Sequence, residues 1–144
     1  MAAEGVRWTA GIAAAGIMGF QYYAMIFGLG FAMGVVRALL IAPRLGELLA
    51  VVLEVPVLVA MSWVAARWLL THRSFSLVEC AVMGATAFSL IMVSEIVLAG
   101  FLRGQGMADW AADVATPIGL IGLAGQVAFG LMPVLVTKSP PSEA

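Results

Sequence analysis

The sequence predicts an all-α polytopic membrane protein, a bundle of four transmembrane helices. Hydrophobic residues make up 63% of the chain and charged residues 10%, with a mean hydropathy of +1.08. A soluble domain carries roughly 45–50% apolar and about 25% charged residues, so a water-soluble fold could not hide this much apolar surface behind so few charges. A bilayer removes the conflict, because lipid solvates the outer faces. The apolar residues also fall into runs of about the 20 residues that a spanning helix needs, with short polar turns between them.

The first span is read as 8–36, a run without charge. Its break is expected at Ala42-Pro43, because proline has no N–H to donate and disfavours helix at the residue before it. Arg44 to Glu47 would then make the turn. The second span is read as 48–70. It contains Glu54 and Pro56, and neighbouring helices can satisfy the carbonyl that a membrane proline frees. Trp63 and Trp68 near its end suit the aromatic belt of a membrane interface. Thr71 to Ser74 forms the second turn. The third span, 78–102, carries Glu95 and ends at Arg103-Gly104-Gln105-Gly106. Met107 to Asp113, with Asp109 and Trp110, fits a short interfacial helix. The fourth span, 114–137, is uncharged, and the tail 139–144 with its two prolines is expected to be disordered. All connections are short, so 1–138 reads as one transmembrane domain. The run after Arg7 is too long for a signal-peptide core, and no lipidation motif is present, so the segment reads as a retained first helix.

Composition also excludes function classes. Seven cations against eight acids leave a net charge of -1, without the basic surface that nucleic-acid binding needs. The single cysteine, Cys80, rules out an intrachain disulfide and a dithiol redox site. The single histidine, His72, has no metal-type ligand at a recognised spacing and reads as a headgroup contact. Cys80 and the nine methionines read as apolar fillers. No cofactor or metal site, and no nucleophile–base pair of an enzyme, is visible.

Lipid provides no hydrophobic drive between helices, so close packing needs small residues. Gly16, Gly19, Tyr23, Gly30, Gly34 and Arg37 share a face of the first span, and Gly30 and Gly34 form a GxxxG pair. Gly119, Gly122, Gln126, Gly130 and Pro133 share a face of the fourth. These stripes are expected to be buried within the bundle, with a homo-oligomer seam or a dock for a foreign helix as the alternative. Gln126 lies mid-span and suits an interhelical hydrogen bond. Tyr22 and Tyr23 are expected to hydrogen-bond neighbours.

The charges are the informative constellation. In an up-down bundle the first and third turns lie on one side, which brings Arg37, Arg44, Glu47, Glu54, Glu95 and Arg103 into one half. Glu54 sits about 10 Å in from the turn at 1.5 Å per residue. Arg44 and Glu47, three apart, can pair locally. A hairpin centred near Pro43 sets Arg37 opposite Ala50, between Glu47 and Glu54. Glu95 needs a partner across a helix interface, Arg37 being one candidate, or a proton. An ionised carboxylate at depth costs about 2.5–3.5 kcal/mol on insertion scales, so the cluster is either an ion-paired bundle core or a relay for protons or ions. Counting Arg7, Arg67, Arg73 and Lys138 against Arg37, Arg44 and Arg103, the positive-inside rule favours both termini in the cytoplasm.

The stretch 37–67, through its APRLGE and LEVP segments, resembles small four-helix inner-membrane proteins of bacteria. That resemblance implies four helices and a bacterial inner membrane, and no activity. Thiol–quinone oxidoreductases would need paired cysteines, and small multidrug exporters a first-helix glutamate; both are missing. The expected function is therefore that of a non-enzymatic accessory or assembly subunit that packs in the bilayer against a larger membrane complex or a second copy of itself. The alternative is a small proton- or ion-coupled transporter using Glu54 and Glu95.

Overall fold

The computed structural model describes residues 2–138, with side chains from 8 to 137. The tail 139–144, expected to be disordered, lies outside the described residues. The described chain is helical almost throughout. Four helices are long and apolar enough to cross a bilayer: Trp8–Leu45, Glu47–Leu70, Leu77–Arg103 and Pro117–Thr137. In their most apolar stretches at most 22% of the residues are buried. Most of the remaining apolar side chains are partly or fully exposed, as lipid-facing helices require.

The first helix does not break at Pro43. Helix α1 (Ala2–Val36) runs into a π-helical turn, Arg37–Ile41, and then into α2 (Ala42–Leu45), which carries Pro43 in its first turn. An α-helical proline ring collides with the carbonyl four residues earlier, here Leu39. The wider π turn relieves that clash and keeps the backbone bonded, with the Ala42 N–H donating to the Arg37 carbonyl. The chain turns instead at Gly46, whose φ of 81° favours a residue without a Cβ.

Helix α3 (Glu47–Leu70) follows with Pro56 inside it. Helix α4 (Leu77–Arg103) starts in a capping box: the Ser76 Oγ accepts from the Glu79 N–H at 3.3 Å, and Glu79 Oε2 accepts from the Ser76 N–H at 2.8 Å. It ends at Gly104, φ 65°, which donates to the Gly100 carbonyl. Helix α5 (Met107–Val114) is the short segment expected from the sequence. Helix α6 (Pro117–Lys138) begins three residues later than the expected 114. The reason is local: Thr116 caps the Gly119 N–H at 3.1 Å and Pro117 takes the first helical position.

Helices α1 and α6 each pack against both α3 and α4, while α1 and α6 lie on one diagonal of the bundle and α3 and α4 on the other. The connection 71–76 therefore crosses the bundle end instead of joining neighbours. Contacts ascend together along α1 and α4 (Gly11 with Glu79, Tyr23 with Ser94) and along α3 and α6 (Val55 with Gly125, then Ser62 and Phe129 at the same Tyr22 hydroxyl), so both pairs are parallel.

The core lies in the half nearer the 71–76 turn: Met18, Tyr22, Ala66, Leu69, Met83, Ala87, Phe129 and Met132. Backbone contact between helices is closest there. A Cβ at Gly84 would collide with the Gly130 carbonyl, and one at Gly19 would sit 2.6 Å from the Met83 carbonyl. Gly125 is held against Val55 of α3, a Cβ there falling 2.8 Å from a Val55 methyl.

The expected seam is only partly this one. Gly16, Gly34 and Gly122 face open space, and Gly30 meets only Leu58 methyls at van der Waals distance. Gly119 is tight against Asp113 and Val114 of its own turn, not against another span. A stripe of small residues marks a face, but the rotation of the neighbouring helix decides which of them it meets.

Candidate functional site

Toward the Gly46 end the helices part. The π turn places Arg37 over α3, where its Nε lies 2.7 Å from Glu54 Oε2 and its Nη1 3.7 Å from Glu47 Oε1. Glu54 is 12% exposed and Arg37 28%, against 66% for Glu47, so the pair with Glu54 is the enclosed one. The Arg37 Nε is buried and makes no aligned hydrogen bond, so that contact is a charge pair rather than a directed bond. Glu54 is held where the hairpin geometry brings it. With the turn at Gly46 rather than Pro43, Arg37 meets α3 at Glu54, a turn beyond the expected Ala50.

From the other wall, Glu95 of α4 accepts a hydrogen bond from the Gln126 amide of α6. One residue before it, the Ser94 hydroxyl shares a hydrogen bond with the Tyr23 hydroxyl of α1. Arg37, Glu54, Glu95 and Gln126 all line one cavity of ≈ 360 Å³. Apart from Ser62 its other walls are apolar, with Phe27, Phe31 and Phe129 prominent, and Gly30, Gly34 and Gly122 make its smooth faces. The glycines expected to pack helices together thus form the walls of a space between them.

The rest of the expected cluster is elsewhere. Arg44 is exposed and makes no ion pair among the described residues, because Glu47 is turned to Arg37. Arg103 pairs with Asp113 of α5 at 3.3 Å, and Gln105 donates to the same carboxylate at 2.8 Å. That group ties the α4–α5 turn at the surface and does not line the cavity. Glu95 consequently has Gln126 for a hydrogen-bond partner and ion-pairs with neither Arg37 nor Arg103, the Arg103 charge reaching it only through space.

Two features were not anticipated from the sequence. Gly84 escaped because it sits among alanines with no second glycine three or four residues away on its helix. Tyr22, expected to bond a neighbour, donates to two carbonyls, Ser62 at 3.3 Å and Phe129 at 3.1 Å. A signal for the second was present: Pro133, four residues past Phe129, leaves that carbonyl without its helical donor.

The cavity can hold a charged or polar group within apolar surroundings, on one side of the bundle's midplane. Among the described residues no group of three His, Cys, Asp or Glu is placed to hold a metal ion.

The fold and cavity define a four-span membrane protein with paired and unpaired carboxylates facing one intramembrane space. Comparison with protein-family models, curated proteins and solved structures finds no match for the chain.

Proposed function

We propose that this protein is a small proton- or ion-coupled carrier whose binding site is the cavity between α1, α3, α4 and α6. One observation carries the reading: Glu54 and Glu95, from helices on opposite corners of the bundle, line the same space as Arg37 and Gln126. Ionisable groups within a membrane are costly and are the ordinary material of ion and proton pathways. The proteoliposome assay is direct. With a proton gradient imposed, a panel of cationic, anionic and neutral amphipathic solutes is followed for accumulation. Wild-type protein accumulates at least one, and Glu54→Gln or Glu95→Gln abolishes it. Unchanged accumulation in both variants, or none by wild type, rejects the carrier.

A second reading is favoured by a different observation. Gly34 and Gly122 have no covering helix, and Gly30 meets only Leu58 methyls, which suits an accessory subunit that receives a helix of a larger membrane complex or of a second copy. Native mass spectrometry after gentle solubilisation separates the two. Partners at fixed stoichiometry that are lost in Gly34→Leu or Gly122→Leu support the subunit; a lone chain supports the carrier.

A bacterial inner membrane is the proposed location, on the sequence resemblance alone. Both termini are proposed to face the cytoplasm. With Arg37 drawn into the cavity, only Arg44 and Arg103 remain as flanking cations on the Gly46 side, which strengthens the charge bias. Labelling of single cysteines placed in the 71–76 turn tests the orientation.

A further inference from the structure

Resting on the carrier reading, we propose that the cavity takes a hydrophobic monocation and that Glu95 is its counter-charge. The argument is a charge count. One cation and two acids line the cavity: Arg37, Glu54 and Glu95. Arg37 is committed to Glu54 at 2.7 Å and extends its other side to Glu47. Arg103 is held by Asp113 outside the cavity. Glu95 forms no ion pair: the neutral Gln126 orients its carboxylate, and Arg103, already paired with Asp113, acts on it only through space. With Glu95 ionised, an anionic ligand would add to the surplus negative charge and a neutral one would leave it uncompensated, so of the three only a cation can take the place of the proton on Glu95.

The walls suit the rest of such a molecule. Tyr23, Phe27 and Phe31 form a ladder along α1, with ring centroids 5.2 and 6.4 Å apart, and Phe27 and Phe31 reach the cavity. Aromatic faces attract cations as well as apolar groups. The volume of ≈ 360 Å³ falls within the range of small-molecule sites, about 300–1,000 Å³. Phe31 is 53% exposed, so the cavity is open beside α1, on the side from which a membrane-dissolved solute arrives.

Without ligand, the Glu95 charge is neutralised by a proton. Cation binding then exchanges the two: the carboxylic acid loses its proton to water and the carboxylate pairs with the ligand, one proton out for one cation in. The groups facing Glu95 fit a single titrating site. Helix α1 presents Tyr23 and Arg37, the latter held by Glu54 of α3. Helix α6 presents Gln126 and carries no ionisable side chain over 117–137. Of the acids of α5, Asp113 is held by Arg103 and Asp109 caps its own helix at Gly106.

The test uses the purified full-length protein in detergent, with tetraphenylphosphonium and its anionic isostere tetraphenylborate as probes. Equilibrium dialysis against protein-free micelles measures binding, and calorimetry in buffers of different ionisation enthalpy counts protons. Tetraphenylphosphonium is expected to bind saturably, more tightly as pH rises, with release of one proton; tetraphenylborate is not. Glu95→Gln, which can keep the bond to Gln126, is expected to weaken cation binding about thirtyfold or more. Equal binding of both probes, absence of cation binding, or unchanged affinity in Glu95→Gln overturns the proposal. The wild-type comparison of the two probes decides the matter even if the variant does not fold. Failure of the broader reading looks different: cation binding without gradient-driven accumulation rejects the carrier and keeps the site. Accumulation of only anionic or neutral solutes keeps the carrier and rejects the cation.

Discussion

The Tyr22 hydroxyl donates to the Phe129 carbonyl at 3.1 Å, joining α1 to α6 across a diagonal on which the two backbones do not pack. Phe129 precedes Pro133 by four residues, so its carbonyl has lost the N–H that an α-helix would supply. In a bilayer interior water cannot replace that donor. Tyr22, fully buried and with its ring stacked on Phe129 at 4.5 Å, replaces it. The bond is thus a repair of a proline defect and a cross-brace of the bundle.

Tyr22→Phe is expected to lower stability by about 1–2 kcal/mol, as loss of a membrane hydrogen bond and an unsatisfied carbonyl imply. In a Pro133→Ala background the same change should cost less, because alanine at that position restores an N–H donor to the Phe129 carbonyl. A double-mutant cycle of unfolding in mixed micelles measures this. Additive costs would show that the two residues do not share the carbonyl.

Gly84→Ala should destabilise the protein, since the new Cβ meets the Gly130 backbone, which can yield only if α4 and α6 separate. Gly34→Ala and Gly122→Ala enter open space and should be neutral or gain up to about 1 kcal/mol of helix propensity. Thermal stability followed by size-exclusion chromatography ranks the three. A Gly34→Ala loss as large as that of Gly84→Ala would mean that Gly34 packs a helix after all.

Arg37→Gln leaves Glu54, 12% exposed, without its cation. Breaking an enclosed pair from one side costs about 3–5 kcal/mol when burial is complete, and less in this partly open cavity. Arg37→Gln/Glu54→Gln should recover most of the loss. By contrast Asp113→Asn, which breaks a pair at the surface, should cost at most about 1 kcal/mol and lose its effect in high salt. Denaturation curves at two salt concentrations separate the pairs.

Glu95→Gln should leave fold and thermal stability close to wild type, because an amide oxygen can still accept from Gln126. Glu95→Leu should unfold earlier by stranding the Gln126 amide. If both variants melt alike, the hydrogen bond to Gln126 contributes nothing to the fold, and the role of Glu95 is confined to the cavity.

Much of the architecture follows from local chemistry. The spans are legible because about 20 apolar residues in a row have one favourable environment. Helix ends are legible at glycine-marked turns such as Gly104, whereas the starts of α4 and α6 are set by the Ser76–Glu79 and Thr116–Gly119 hydrogen bonds, which the apolar runs do not show. The gathering of Arg37, Glu47, Glu54 and Glu95 in one half follows from span lengths alone.

Partner identity does not follow from them. One residue of register turns a helix face by about 100°, and the π turn at Arg37–Ile41 makes such a change. Together with the shift of the hairpin apex from Pro43 to Gly46, it sets Arg37 against Glu54. The diagonal placement of α3 and α4 sets Glu95 against Gln126. It also gives close backbone contact to Gly84, and to neither Gly30 nor Gly34. Hydropathy is a property of each segment taken alone, so the order of residues is enough to say what crosses the membrane, and places the ends of each crossing only to within a turn or more. Contacts depend on the rotation and order of four helices packed together, and that information exists in no single segment before the bundle forms.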